Sequence, residues 1–136
     1  TSVVAGTIGI FVGCSYTDPS TSQLTFNQQF PASTAASDIM AYVVDDPKLV
    51  FQMQGDEAIA QTGLGNNISA VSMAGSTSIG RSKNALDGGS IATTNTLPLR
   101  VLEFVDGPSS TVGDTYTDCL VTYLPLSHAY ETKLGV

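Results

Sequence analysis

The sequence predicts an all-β domain, a small β-barrel or sandwich with one short helix. Three observations carry this: apolar residues fall in short runs of strand length, the runs are rich in β-branched and aromatic side chains, and Gly, Pro, Asp and Ser clusters separate them. At 136 residues the chain reads as a single domain over 1–136, long enough to bury roughly two thirds of its unfolded surface.

Residues 7–15 form a near-continuous apolar run broken by Gly9 and Gly13, which predicts a first strand with a bulge or a close backbone neighbour. Asp18-Pro19-Ser20-Thr21 supplies turn chemistry, and Leu24-Thr25-Phe26 resumes as a strand, so the two runs form a hairpin. Residues 39–45 make the strongest strand, bounded by Asp38 and by Asp46-Pro47, because proline cannot donate to a ladder. A further strand follows over 49–54.

The one helix is expected over 56–63, with Asp56 as N-cap, residues 57–61 as helix formers and Gly63 as the stop. From Gly65 to Asn95 the chain turns to Gly, Ser, Asn and Thr with isolated apolar residues. Region 65–95 therefore reads as loop-rich with short edge strands, a turn at Asp87-Gly88-Gly89, and parts that order against a partner. Residues 97–105 and 118–123 are the closing strands, separated by loops at 106–108 and 112–114.

Composition bounds the function. Only 12% of the residues are charged, about half the usual share, whereas Ser and Thr together number 31. The surface is thus largely neutral and hydroxyl-rich, which favours contacts between subunits. Twelve acids against five bases give a net charge of −7, and no Lys or Arg precedes Lys48. Binding a phosphate backbone needs clustered Lys and Arg, so nucleic acid is not an expected partner. Anionic membranes are disfavoured for the same reason, and no apolar run approaches the ~20 residues that span a bilayer.

No constellation of reactive residues stands out. His128 is the only histidine and reads as a loop or edge residue making ordinary hydrogen bonds. Asp45 and Asp46 are adjacent, so on a strand they point to opposite faces and cannot share a proton; their expected role is to end the strand, with Asp46 presetting the turn at Pro47. The remaining aspartates are scattered without the spacing of a calcium loop, and no metal or cofactor is expected. Cys14 and Cys119 read as small buried hydrophobes, although a disulfide stays open if the N- and C-terminal strands pair. Gly63-Leu64-Gly65-Asn66-Asn67 reads as a glycine-rich turn.

The stretch from Gly9 to Pro19, continued by residues 23–34, together with residues 38–47 and Phe51-Gln52-Met53-Gln54, resembles virion structural proteins of tailed bacteriophages of aquatic bacteria. Within that group it is similar to head decoration, or capsid cement, proteins. The resemblance extends to Gly65-Asn66-Asn67, residues 75–82, residues 116–121, His128, Tyr130 and the terminal Leu134-Gly135-Val136. It implies a non-enzymatic protein on the outer surface of the capsid, with the major capsid protein as partner and a homotrimer as the expected assembly. The segment 17–34 carries the candidate interface, Asp18, Phe26, Gln29, Phe30 and Pro31, because it sets aromatic residues among uncharged Gln and Thr. Two other readings are a different virion component (tail, fibre or spike domain) and a soluble ligand-binding β-barrel.

Overall fold

The computed structural model describes residues 6–131. Leu134-Gly135-Val136, which the family resemblance includes, lie outside the described residues. Eight strands form: β1 (Ile10–Thr17), β2 (Leu24–Asn27), β3 (Met40–Val44), β4 (Val50–Gln54), β5 (Asn67–Val71), β6 (Ala85–Ala92), β7 (Leu99–Phe104) and β8 (Asp118–Tyr123). They make two antiparallel sheets in a sandwich-like arrangement, three-stranded β2-β1-β3 and five-stranded β4-β8-β7-β5-β6. The five-stranded sheet curls until its two edges meet at one end, where Gly55 bridges Leu86, but the ladder does not continue and no closed barrel results.

The hydrophobic core lies inside this curl. Alternation along β8 sends Cys119, Val121 and Tyr123 inward, and their neighbours Ile68, Ala70, Leu86, Leu99 and Val101 join them. Ile59 enters the same cluster from the connection after β4 and is wholly buried.

Ile59 also explains why the expected helix over 56–63 does not form. Its amide donates to Thr117 Oγ1 (3.1 Å), and its carbonyl accepts from the Gly113 amide (3.1 Å). The Asp56 amide donates to the Leu86 carbonyl (2.9 Å), and the Asp56 carboxylate accepts from the Gly88 amide (3.1 Å) in place of capping a helix. With its backbone groups held by distant partners, the segment keeps only a single 3₁₀ turn at Gln61–Gly63.

Region 65–95 contains more sheet than its composition suggests. It holds β5, an interior strand, and β6, an edge strand. Asp87-Gly88-Gly89 lies within β6 and begins a wide bulge: between the pairs Asn67↔Ala92 and Ser69↔Asp87, the single residue Ile68 faces residues 88–91. The Ser90 hydroxyl fills that gap, accepting from the Ser69 amide (2.8 Å) and donating to the Asp87 carbonyl (2.7 Å).

The smaller sheet joins the larger one at one end. Ile10 packs against the core cluster, Thr7 bridges His128, and Tyr130 donates its hydroxyl to Asp45 at 2.8 Å. Beyond that junction β1, β2 and β3 form an arm, which meets the rest of the chain again where Gln29 lies against Gly80. The expected bulge in β1 falls at Val12, between the pairs Phe11↔Val43 and Gly13↔Tyr42. Gly13 beside it allows a close approach, since a Cβ there would lie 3.0 Å from the Asn27 carbonyl oxygen and crowd β2. Cys14 in β1 and Cys119 in β8 sit in different sheets, both buried and both free thiols.

Candidate assembly surface

Register assigns the two faces of the arm. Ser15 pairs with Phe26 on one side and Met40 on the other, so these three share a face. Two-residue steps add Leu24 from β2 and Tyr42 and Val44 from β3. The hydrogen bond between the Ser15 and Tyr42 hydroxyls (2.9 Å) fits this assignment. The opposite face carries Cys14, Tyr16, Thr25, Asn27 and Val43. There the Asn27 amide donates to the Tyr16 hydroxyl (2.9 Å), and Phe30 sets its ring edge-on to Tyr16 with centroids 5.3 Å apart.

Cover follows strand position: Cys14, Ser15 and Tyr16 in central β1 are buried, whereas Leu24, Phe26 and Met40 on the edge strands of the first face are 63%, 66% and 62% exposed. Every residue of β3 is exposed, although its sequence is the most continuously apolar of the strands. No charged residue occurs in β1, β2 or β3. A contiguous apolar stripe rimmed by polar groups marks an interaction surface, and fully burying a Leu, Phe or Met side chain is worth about 1.5–3 kcal/mol. The stripe can therefore drive association without ion pairs.

The five interface candidates separate. Phe26 stands on the β2 edge of the exposed stripe. Phe30 is on the other face, 38% exposed and packed on Tyr16, with Pro31 half-buried beside it in sequence. Gln29 is exposed but lays its amide over Gly80, whose φ of +63° and lack of a Cβ admit it. Asp18 is committed to the β1–β2 turn: its carboxylate accepts from the Ser20 amide (2.8 Å) and hydroxyl (2.6 Å), which hold its carboxyl below the ordinary range. The segment 17–34 thus contributes two side chains to the stripe, Leu24 and Phe26, and of the five candidates only Phe26. Sequence reasoning placed none of the β3 residues on an interface, although Met40, Tyr42 and Val44 complete it.

Two aspartates fix the arm at its ends. The Asp38 carboxylate accepts from the Thr17 amide (3.0 and 3.2 Å) and hydroxyl (2.5 Å), tying the start of β3 to the end of β1. These bonds, the hydroxyl's foremost, lower its pKa. Asp45 accepts from Tyr130, and that bond and its charge push the phenol pKa up. Asp46 presets the turn as expected, accepting from the Lys48 amide (2.8 Å) while its carbonyl accepts from Leu49 (3.1 Å).

Outside the arm, His128 lies in the loop after β8, bridged to Thr7, but no solvent reaches it. It is wholly buried between Tyr123 and Tyr130, its Nδ1 accepts from the Tyr130 amide (3.3 Å), and Nε2 has no hydrogen-bond partner among the described residues. The fold also gathers three of the scattered acids. Carboxylate oxygens of Asp56, Glu57 and Asp87 lie within 4.8 Å of one another, a proximity no local spacing encodes. Asp56 already serves Gly88, and Glu57 lies across Gly88 and Gly89. Burial, with a smaller effect from the Asp118 charge, pushes the Cys119 thiol up to about 11. No family model, curated protein or solved structure matches the chain.

Proposed function

We propose that this chain is a structural assembly protein, a phage head decoration protein that binds the outer surface of the capsid as a homotrimer and reinforces contacts between capsid subunits. The observation that supports it is the arm: three strands without a charged residue, with an apolar stripe that the chain's own fold leaves open. An uncharged adhesive surface suits lattice binding, and the acidic remainder of the chain suits the outer face, away from packaged DNA. The ligand-barrel reading is less favoured because Ile59 and Leu86 fill the interior that a ligand would need. A ligand that binds only the intact lattice stabilises it by mass action. Heating particles with and without the chain and recording DNA release tests this. Earlier release without the chain is expected; equal resistance removes the reinforcing role.

A further inference from the structure

We propose that copies of this chain join edge to edge, β3 of one against β2 of the next, extending the three-stranded sheet into a closed ring. The inference rests on reading the arm as an assembly surface and assigns its strand edges to the chain's own copies. The order β2-β1-β3 leaves an outer edge on β2 and another on β3, and neither edge has a backbone hydrogen bond to any described residue. Strand edges of monomers are normally blunted by Lys, Pro or a bulge. Met40–Val44 and Leu24–Asn27 contain no charge and no proline, and the one bulge of the arm is in the central strand. The larger sheet behaves differently, since its edge strands β4 and β6 are linked at Gly55 and Leu86.

Charge selects the pairing. Two β3 strands meeting about a two-fold axis at Tyr42 bring Asp38 opposite Asp46 of the other copy, twice over, with Asp45 flanking. Like charges directly opposite are destabilising, and the chain as a whole carries −7. By contrast residues 23–34 carry no charge, so a β3–β2 junction at the level of Thr25 and Ile39 sets the β3 acids beside uncharged residues, Asp38 beside Leu24 and Asp45 and Asp46 beside Pro31 and Ala32. Direction agrees. Both strands run antiparallel to β1 and hence parallel to each other, so rotation about an axis along the strands brings β3 beside a parallel β2. Such a head-to-tail contact forms a ring when the rotation closes. Across the junction Met40 and Tyr42 become same-face neighbours of Leu24 and Phe26 from the next copy, which joins the stripes of adjacent copies and buries their flanks against one another.

Thr25 pairs with Tyr16, and Met40 with Ser15, so Thr25 and Ile39 stand level at opposite edges of the sheet. Chains carrying Thr25→Cys and chains carrying Ile39→Cys, distinguished by tags and co-expressed, are treated with a short bis-maleimide; buried Cys14 and Cys119 are shielded from it. The expected result is a covalent link between the two tags and a multimer in light scattering. Linking of Ile39→Cys chains to one another overturns the junction in favour of a two-fold β3 pair. A monomer at all concentrations that gives no link overturns the ring. Binding to undecorated shells is measured in parallel: a monomer that binds them overturns only the ring, and a linked ring that fails to bind them upholds the ring while overturning the decoration role.

Discussion

Asp38 shows how one side chain fixes the geometry of the arm. Its carboxylate holds both the amide and the hydroxyl of Thr17, and these bonds lower its pKa below the ordinary 3.8. Because the folded value is the lower one, the unfolded chain takes up this proton first on acidification. The stabilisation is therefore complete above the ordinary carboxylate value and disappears as pH falls through the folded one. Asp38→Asn is expected to flatten the dependence of melting temperature on pH below about 4, while Asp18, which shifts the same way, keeps a residual slope. Thermal melts of the two chains from neutral to acid pH check this; parallel curves refute it. Little of this was legible in sequence, where Asp38 reads only as a strand boundary and its partner lies 21 positions away.

At the scale of elements, the strands that sequence reveals are those whose own pattern decides them. β8 matches residues 118–123 because inward Cys119, Val121 and Tyr123 alternate with half-buried neighbours, and β3 is announced by Asp38 and Pro47. β5 and β6 were obscured because few side chains face the core there, Ile68, Ala70, Leu86 and Ile91, and the rest of the pairing is backbone and Ser90. The helix over 56–63 failed for the opposite reason, a local propensity overruled by distant partners. Thr117 is the main one: it accepts from Ile59 and donates to the Asp114 carbonyl (2.8 Å). Thr117→Val leaves the Ile59 amide buried without an acceptor, and a loss of about 1–3 kcal/mol is expected in urea unfolding. Thr117→Ser, which keeps the hydroxyl, is expected to recover most of it. Equal losses for both variants would show that the methyl group, not the hydrogen bond, matters.

For the whole molecule, the most apolar strand of the sequence is the most exposed strand of the fold, because the core cluster meets the smaller sheet only at Ile10 and β3 lies at that sheet's outer edge. Apolar runs predict burial, and which partner supplies that burial is not written in a single chain; only register with β1 shows that Phe26, Met40 and Tyr42 form one stripe. The physical character of the association nevertheless follows from what is present. Charge enters only as repulsion between copies at −7, and the strands that meet are neutral. Raising salt from about 0.1 to 1 M shortens the screening length from about 10 to 3 Å, which weakens that repulsion, and excluded salts such as sulfate strengthen apolar burial. Self-association is therefore expected to hold or tighten as sulfate is raised, and Phe26→Ser to weaken it without unfolding the monomer. Phe30→Ser, which removes the contact with Tyr16 on the other face, is expected to lower the stability of the arm instead. Light scattering against salt concentration, paired with thermal melts of both variants, separates these effects, and dissociation at high salt would refute an apolar junction.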